Sequence, residues 1–175
     1  MTTNLIILGI LILLSAFFSA SEVAFISLSD AKVDAMVKRK LPKAKLVKKL
    51  TRNPRRLLVT ILIGNNIVNI ASASLATIVA SEIFESAVLV LTTGIITIIV
   101  LIFGEILPKS YAANHPKKFA IFSSRYVQFL EIVGKPIIIV FEWLTNIFAG
   151  EQTDERISEE ALKDMGLPSV KQGKI

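Results

Sequence analysis

The 175-residue sequence has no cysteine and a single histidine, His115. Without a thiol, a disulfide scaffold, a zinc knuckle, an iron–sulfur site and thiol catalysis are all excluded. Charge is scarce as well: 19% of residues are charged, where a soluble domain carries about 25%. Apolar residues fill the gap, at 53% of the chain with a mean hydropathy of +0.63. A soluble fold of this length cannot bury that much apolar surface, and a disordered chain would hold far less of it. The charges that remain are unbalanced: 20 Lys and Arg face 14 Asp and Glu, for a net +6. An apolar chain that is also basic reads as an inner-membrane protein whose charges lie on one side.

Three stretches reach the ~20 residues needed to cross ~30 Å of hydrocarbon. They run from about 5 to 28, 57 to 80 and 87 to 103, the last extending to 107 through a polar end. Met1-Thr2-Thr3-Asn4 carries no basic side chain, and apolar character continues past any cleavage point, so the first stretch reads as a retained span rather than a signal peptide. Between the first two lie Lys32, Lys38, Arg39, Lys40, Lys43, Lys45, Lys48, Lys49, Arg52, Arg55 and Arg56, against Asp30 and Asp34. The positive-inside rule puts that segment in the cytoplasm. The link Glu82-Ile83-Phe84-Glu85-Ser86 has acids and no base, which suits the outside, while Lys109, Lys117, Lys118 and Arg125 again suit the inside. The expected topology is N-terminus out, three spans, C-terminus in.

A fourth apolar stretch, 126–148, holds Glu131, Lys135, Pro136 and Glu142. Each charge at the centre of a bilayer costs ~2.5–3.5 kcal/mol on insertion scales. It is therefore expected as helices lying at the inner surface, broken at Pro136. The expected fold class is an all-α membrane protein, three transmembrane helices with juxtamembrane amphipathic helices over about 30–53 and 110–149. In the basic stretch, Val33, Met36, Val37, Leu41, Leu46 and Val47 mark the apolar side. From 151 to 175 the chain is polar, as expected of a linker or a truncated start of a cytoplasmic region.

The informative residues are the polar ones inside the spans, where polarity is expensive. Ser15, Ser19 and Glu22 share one face of the first span by their spacing. Gly64-Asn65-Asn66-Ile67-Val68-Asn69 puts three amides in the second span, with Asn65, Asn69 and Ser72 on one side. Ser72, Ala76 and Ala80, beside Ala73, Thr77 and Ser81, form a small-residue stripe suited to helix packing or a dimer seam. In the third span Pro108 should kink or stop the helix near Gly104, freeing carbonyls beside Glu105. Serines and a single asparagine can also serve as helix–helix glue, and Glu105 with Lys109 as an interfacial pair at a helix end. Counting ~1.5 Å per residue from Lys32, Arg56 and Lys109 as inner-surface markers places Ser19 ~20 Å deep, Asn65 ~13 Å and Glu105 ~6 Å.

Hydroxyl, amide, carboxylate and carbonyl oxygens together suit a hard cation such as Mg²⁺, Ca²⁺, Mn²⁺ or Na⁺. His115 lies in a loop and reads as a surface residue. No nucleophile–base pair is apparent, so an enzyme is not expected. The lysine run beside the spans suits anionic lipid headgroups rather than nucleic acid.

Phe18-Ser19-Ala20-Ser21-Glu22-Val23-Ala24, Gly64-Asn65-Asn66-Ile67-Val68-Asn69 and Phe103-Gly104-Glu105-Ile106-Leu107-Pro108-Lys109 resemble the three signatures of the CNNM/CorB/CorC (cyclin M, DUF21) transmembrane domain. The resemblance covers roughly 4–150. It implies a homodimeric magnesium transporter domain that binds dehydrated Mg²⁺ in an inward-facing cavity and exchanges it for Na⁺. By motif position, Ser19, Asn65, Asn69 and Glu105 would be ligands or direct supports, with Ser21 and the Gly104 carbonyl as second choices. It also implies a cytoplasmic CBS-pair module that binds ATP–Mg²⁺, for which this sequence has no counterpart. Two other readings stay open: a membrane anchor or assembly module held together by its polar clusters, and a carrier of a different hard cation.

Overall fold

The computed structural model describes residues 2–83 and 86–140. Those residues are almost all helical: α1 (Thr2–Ile26), α2 (Asp30–Lys38), α3 (Ala44–Thr51), α4 (Pro54–Ile83), α5 (Ser86–Leu101), a π-helical turn (Ile102–Ile106), α6 (Leu107–Asn114) and α7 (Pro116–Val133). Met1–Ile138 is one compact unit; of the second, Ile139–Ile175, the described part is helix at 139–140. The polar tail and the end of the fourth apolar stretch fall outside the described residues.

Three helical runs are long and apolar enough to cross a membrane: Thr2–Ile26, Pro54–Glu82 and Gly94–Asn114. Their surfaces are inverted relative to a soluble bundle. Ile6, Leu13, Ile67, Ile70, Ile98 and Ile106 are exposed, while Ser15, Ser19, Ser72 and Asn65 are buried. Lipid tails are as apolar as leucine, so the bundle closes around its small and polar residues instead. Three hydrogen-bonded pairs give the direction of α4 against α1: Asn4–Glu82, Ser15–Asn69 and Ser19–Asn65. As one number rises the other falls, so the two helices are antiparallel. Against the third helical run the order is Ser15–Gly104, then Glu22–Lys109. Both numbers rise, so that run is parallel to α1. The three runs therefore alternate in direction along the bundle.

Glycine sets the closest approach. A side chain on Gly64 would collide with the ring of Phe18, so the glycine lets α4 accept that ring. The stripe Ser72, Ala76 and Ala80 is buried within the chain itself, whereas Ala73 and Thr77 are exposed.

The basic stretch folds as α2 and α3, which bury Val33, Met36, Ala44, Val47 and Leu50. Leu41 differs from expectation: it sits exposed in the turn between them, where Lys40 and Lys43 take positive φ of 53° and 57°. That sharp reversal points Leu41 away from both apolar faces. Downstream, the helix breaks at Gly134 rather than at Pro136. The Gly134 N–H donates to the Leu130 carbonyl at 2.7 Å, and an added Cβ would stand 2.9 Å from that oxygen. Pro136 instead lies in the first turn of the next helix, where its missing N–H costs nothing.

α7 is held to α1 by rings. Phe17 lies 6.3 Å from Phe119, 6.2 Å from Phe122 and 5.7 Å from Tyr126 between centroids. The Phe122 and Tyr126 contacts are edge-to-face, the arrangement that suits aromatic quadrupoles. At the start of α4, Arg56 Nε lies 2.9 Å from Glu131 of α7, with the N–H not aligned on the carboxylate oxygen. That contact joins α7 to the basic end of α4.

Candidate cation site between the spans

A buried hydroxyl in a helix has two options: donate back to its own turn or reach another helix. Ser21, Thr60, Ser72, Ser123 and Ser124 all donate to carbonyls three or four residues earlier. Ser15 and Ser19 reach across. Ser15 Oγ donates to Asn69 Oδ1 at 2.7 Å and lies 3.2 Å from the Gly104 carbonyl oxygen. Ser19 Oγ donates to Asn65 Oδ1 at 3.3 Å. The stripe read from spacing therefore faces α4 and the π-helical turn.

Pro108 explains the Gly104 carbonyl. In a regular helix the N–H of residue 108 would donate to the carbonyl of residue 104, and proline has no N–H to give. The chain answers with a π-helical turn over Ile102–Ile106, in which the Leu107 N–H donates to Ile102 O. Of the two expected outcomes, a kink or a stop near Gly104, the helix does not stop; its ladder is distorted there into a wider turn and it continues as α6. π-Turns of this kind concentrate at functional sites. Gly104 is itself buried, and an added Cβ would stand 3.1 Å from Ser15 Oγ.

Three helical elements thus bring three oxygens together around one hydroxyl proton. Ser15 owns a single O–H, and two acceptors lie within reach of it. The deficit is of positive charge or of donors. Beside this cluster is a cavity of about 150 Å³ lined by Ser15, Asn69, Ala73, Ala76, Thr97 and Glu105, among others. Hydroxyl, amide, carboxylate and carbonyl groups converge on it, and the alanines leave the room. Among the described residues, no three His, Cys, Asp or Glu side chains cluster as a metal site. The donor set is the mixed oxygen kind that suits hard cations.

Glu105 also pairs with Lys109 Nζ at 3.1 Å, and Glu22 approaches the same ammonium at 3.5 Å. This corrects the depth estimate. Lys109 is no surface marker: two carboxylates let it remain 35% exposed at the level of Glu22, a turn inside the end of α1. Glu105 accordingly sits deeper than a count from Lys109 allows.

The structure brings Asn69 and Glu105 to one cavity, with the Gly104 carbonyl beside it on Ser15 and with Ser19 and Asn65 paired a turn away along α1. Ser21 stands apart. It is 200° from Ser19 on a helical wheel of ~100° per residue, and its hydroxyl proton goes to Phe17 O at 2.7 Å. Ser15, on the stripe but not among the motif-matched ligands, is the hydroxyl at the centre. The signal for it was the shared i, i+4, i+7 face. His115, as expected, is outside, stacked on Tyr111 at 4.8 Å.

A family model described as cyclin M transmembrane N-terminal domain matches residues 6–175. The chain is 38% identical over 154 residues to the UPF0053 inner membrane protein YfjD of Escherichia coli, covering 86% of this chain and 36% of that protein. A UPF0053 protein of Haemophilus influenzae is 37% identical, over 85% of this chain and 34% of its own length. A chloroplastic DUF21 domain-containing protein of Arabidopsis thaliana is 35% identical, over 80% and 21%. The chain spans about a third of the length of the first two of these relatives.

Proposed function

Since the chain belongs to the cyclin M transmembrane domain family, the DUF21 membrane domains, we propose that it is the transmembrane domain of a Mg²⁺ transporter. Its cargo would be held, stripped of water, beside Ser15, Asn69, the Gly104 carbonyl and Glu105. The observation that carries this reading is the convergence of oxygens from α1, α4 and the π-helical turn on Ser15, beside a cavity that Ser15, Asn69 and Glu105 line. Mg²⁺ demands near-octahedral oxygens at ~2.0–2.1 Å and gives up water reluctantly. Several neutral oxygens replace that water, and Glu105 offsets part of the charge. Ser19 and Asn65 extend the polar path one turn along α1 and α4.

The positive-inside pattern supports an N-terminus outside and a cytoplasmic C-terminus in a cell membrane. Coupling to Na⁺, a homodimer, anionic lipid contacts and a CBS-pair module in the longer protein belong to the same proposal.

The experiment is Mg²⁺-dependent thermal stabilisation of the purified protein, repeated with Ca²⁺, Mn²⁺ and Na⁺. Mg²⁺ should stabilise most, and Glu105→Gln should abolish most of the effect. Equal stabilisation of wild type and Glu105→Gln counts against this cavity.

A second reading is favoured by the directness of the Ser15–Asn69 and Ser19–Asn65 bonds: an assembly module in which these are helix staples. It expects Asn65 and Asn69 variants to lose stability with no ion response in any variant.

A further inference from the structure

Glu105 has two claims on it. Glu105 is one of the residues that line the cavity, and its carboxylate holds the Lys109 ammonium at 3.1 Å. Lys109 in turn lies 3.5 Å from Glu22 of α1. All three side chains are at most 35% exposed, inside a helical run apolar enough to span a membrane. Two carboxylates this close in a low dielectric repel each other strongly, and the ammonium between them leaves the trio with one net negative charge. A divalent cation on Glu105 would then face a positive group tethered to the same carboxylate.

We propose that Lys109 is the built-in counter-charge of the cavity, a positioning residue whose ammonium competes with a bound cation for Glu105 and keeps divalent binding weak enough for release. Glu22 is the other half of the device. It lies outside the cavity lining and offers the ammonium a place to go when a cation takes Glu105. This inference rests on the cavity being a cation site.

Coulomb energy scales with the charge of the cation, so the effect of Lys109 on a divalent ion is twice that on a monovalent one in free energy. The fold-change in affinity for Mg²⁺ is therefore the square of the fold-change for Na⁺. A residue that merely shapes the cavity has no reason to obey that relation.

The test is calorimetric titration of the full chain with Mg²⁺ and with Na⁺, at one fixed pH. Lys109→Gln should tighten Mg²⁺ binding about tenfold and Na⁺ binding about threefold. It should also slow Mg²⁺ release in vesicles. Lys109→Arg, which keeps the charge, should stay near wild type. Glu22→Gln, which leaves the ammonium to Glu105 alone, should weaken Mg²⁺ binding severalfold, and it stands in if Lys109→Gln does not fold. Unchanged Mg²⁺ affinity in Lys109→Gln, or in Glu22→Gln where that is the variant read, overturns the proposal while leaving the cation site intact. Equal behaviour of the Gln and Arg variants overturns it too. A wild-type protein that binds none of Mg²⁺, Ca²⁺, Mn²⁺ or Na⁺ overturns the site reading itself, and this inference with it.

Discussion

Ser15 Oγ and Asn69 Oδ1 lie 2.7 Å apart, and that bond joins α1 to α4 at the level of the π-helical turn. It places an amide and a hydroxyl from antiparallel helices against a carbonyl from a third element. Ser15→Ala removes the hydroxyl proton that reaches Asn69 Oδ1 and the Gly104 carbonyl. The buried Gly104 carbonyl and the half-buried Asn69 amide oxygen would lose that partner, at about 1–3 kcal/mol for a fully buried loss and less for a partly exposed one. Thermal unfolding in detergent should show the drop, and Mg²⁺ titration should show weaker binding.

Pro108→Ala tests how the Gly104 carbonyl is freed. The variant returns an N–H to residue 108, and with it the option of a regular i→i−4 bond to Gly104. The π-helical turn should relax toward α-helix, and Ser15 should lose its second acceptor. Stability is expected to hold or rise, while Mg²⁺ affinity falls severalfold. Proline is thus predicted to act on the ion and not on the fold, a split that parallel unfolding and binding measurements resolve.

Gly64→Ala is expected to destabilise the bundle by about 1–3 kcal/mol, the usual range for overpacking. The new methyl would press on the Phe18 ring. Adding Phe18→Leu should recover part of the loss, because the smaller side chain vacates the contact. A double-mutant cycle in thermal stability gives the coupling directly.

Asp34 and Lys48 pair at 2.7 Å between α2 and α3. The ammonium, through its hydrogen bond and its charge, holds the Asp34 carboxyl below its ordinary 3.8. A folded value below the unfolded one means the pair stabilises above pH 3.8 and is lost as pH falls through the folded value. Asp34→Asn should therefore lower stability slightly at neutral pH and leave it unchanged below the folded value, which flattens the acid end of the pH–stability curve. High salt should shrink the difference, since both groups face solvent.

The spans were legible because ~20 apolar residues in a row have few other uses. The hydroxyl face was legible too, since Ser15, Ser19 and Glu22 share it by helical period alone. Which hydroxyl would meet which amide was not, because that depends on the register of α4 against α1, and Gly64 against Phe18 sets it. Lys109 misled the depth count for a physical reason: a lysine marks the membrane surface only when nothing inside neutralises it, and Glu22 and Glu105 do. Pro108 announced a broken ladder, yet it could not say whether the helix would stop or widen. The freed Gly104 carbonyl meets the Ser15 hydroxyl, a partner 89 positions away that local sequence does not reveal. Leu41 matched the apolar pattern of its neighbours, and the positive φ of Lys40 and Lys43 turned it outward.

The aromatic contacts of Phe17 give α1 a mechanical role. Phe17 sits between Ser15 and Ser19 in sequence but points the other way, into Phe119, Phe122 and Tyr126 of α7. One helix therefore carries the oxygen cluster on one flank and a clamp of rings on the other. Turning α1 about its axis would therefore have to break ring contacts with α7 as well as the bonds of Ser15 and Ser19. The bundle has in effect a crankshaft, with its handle among the helices outside the spans.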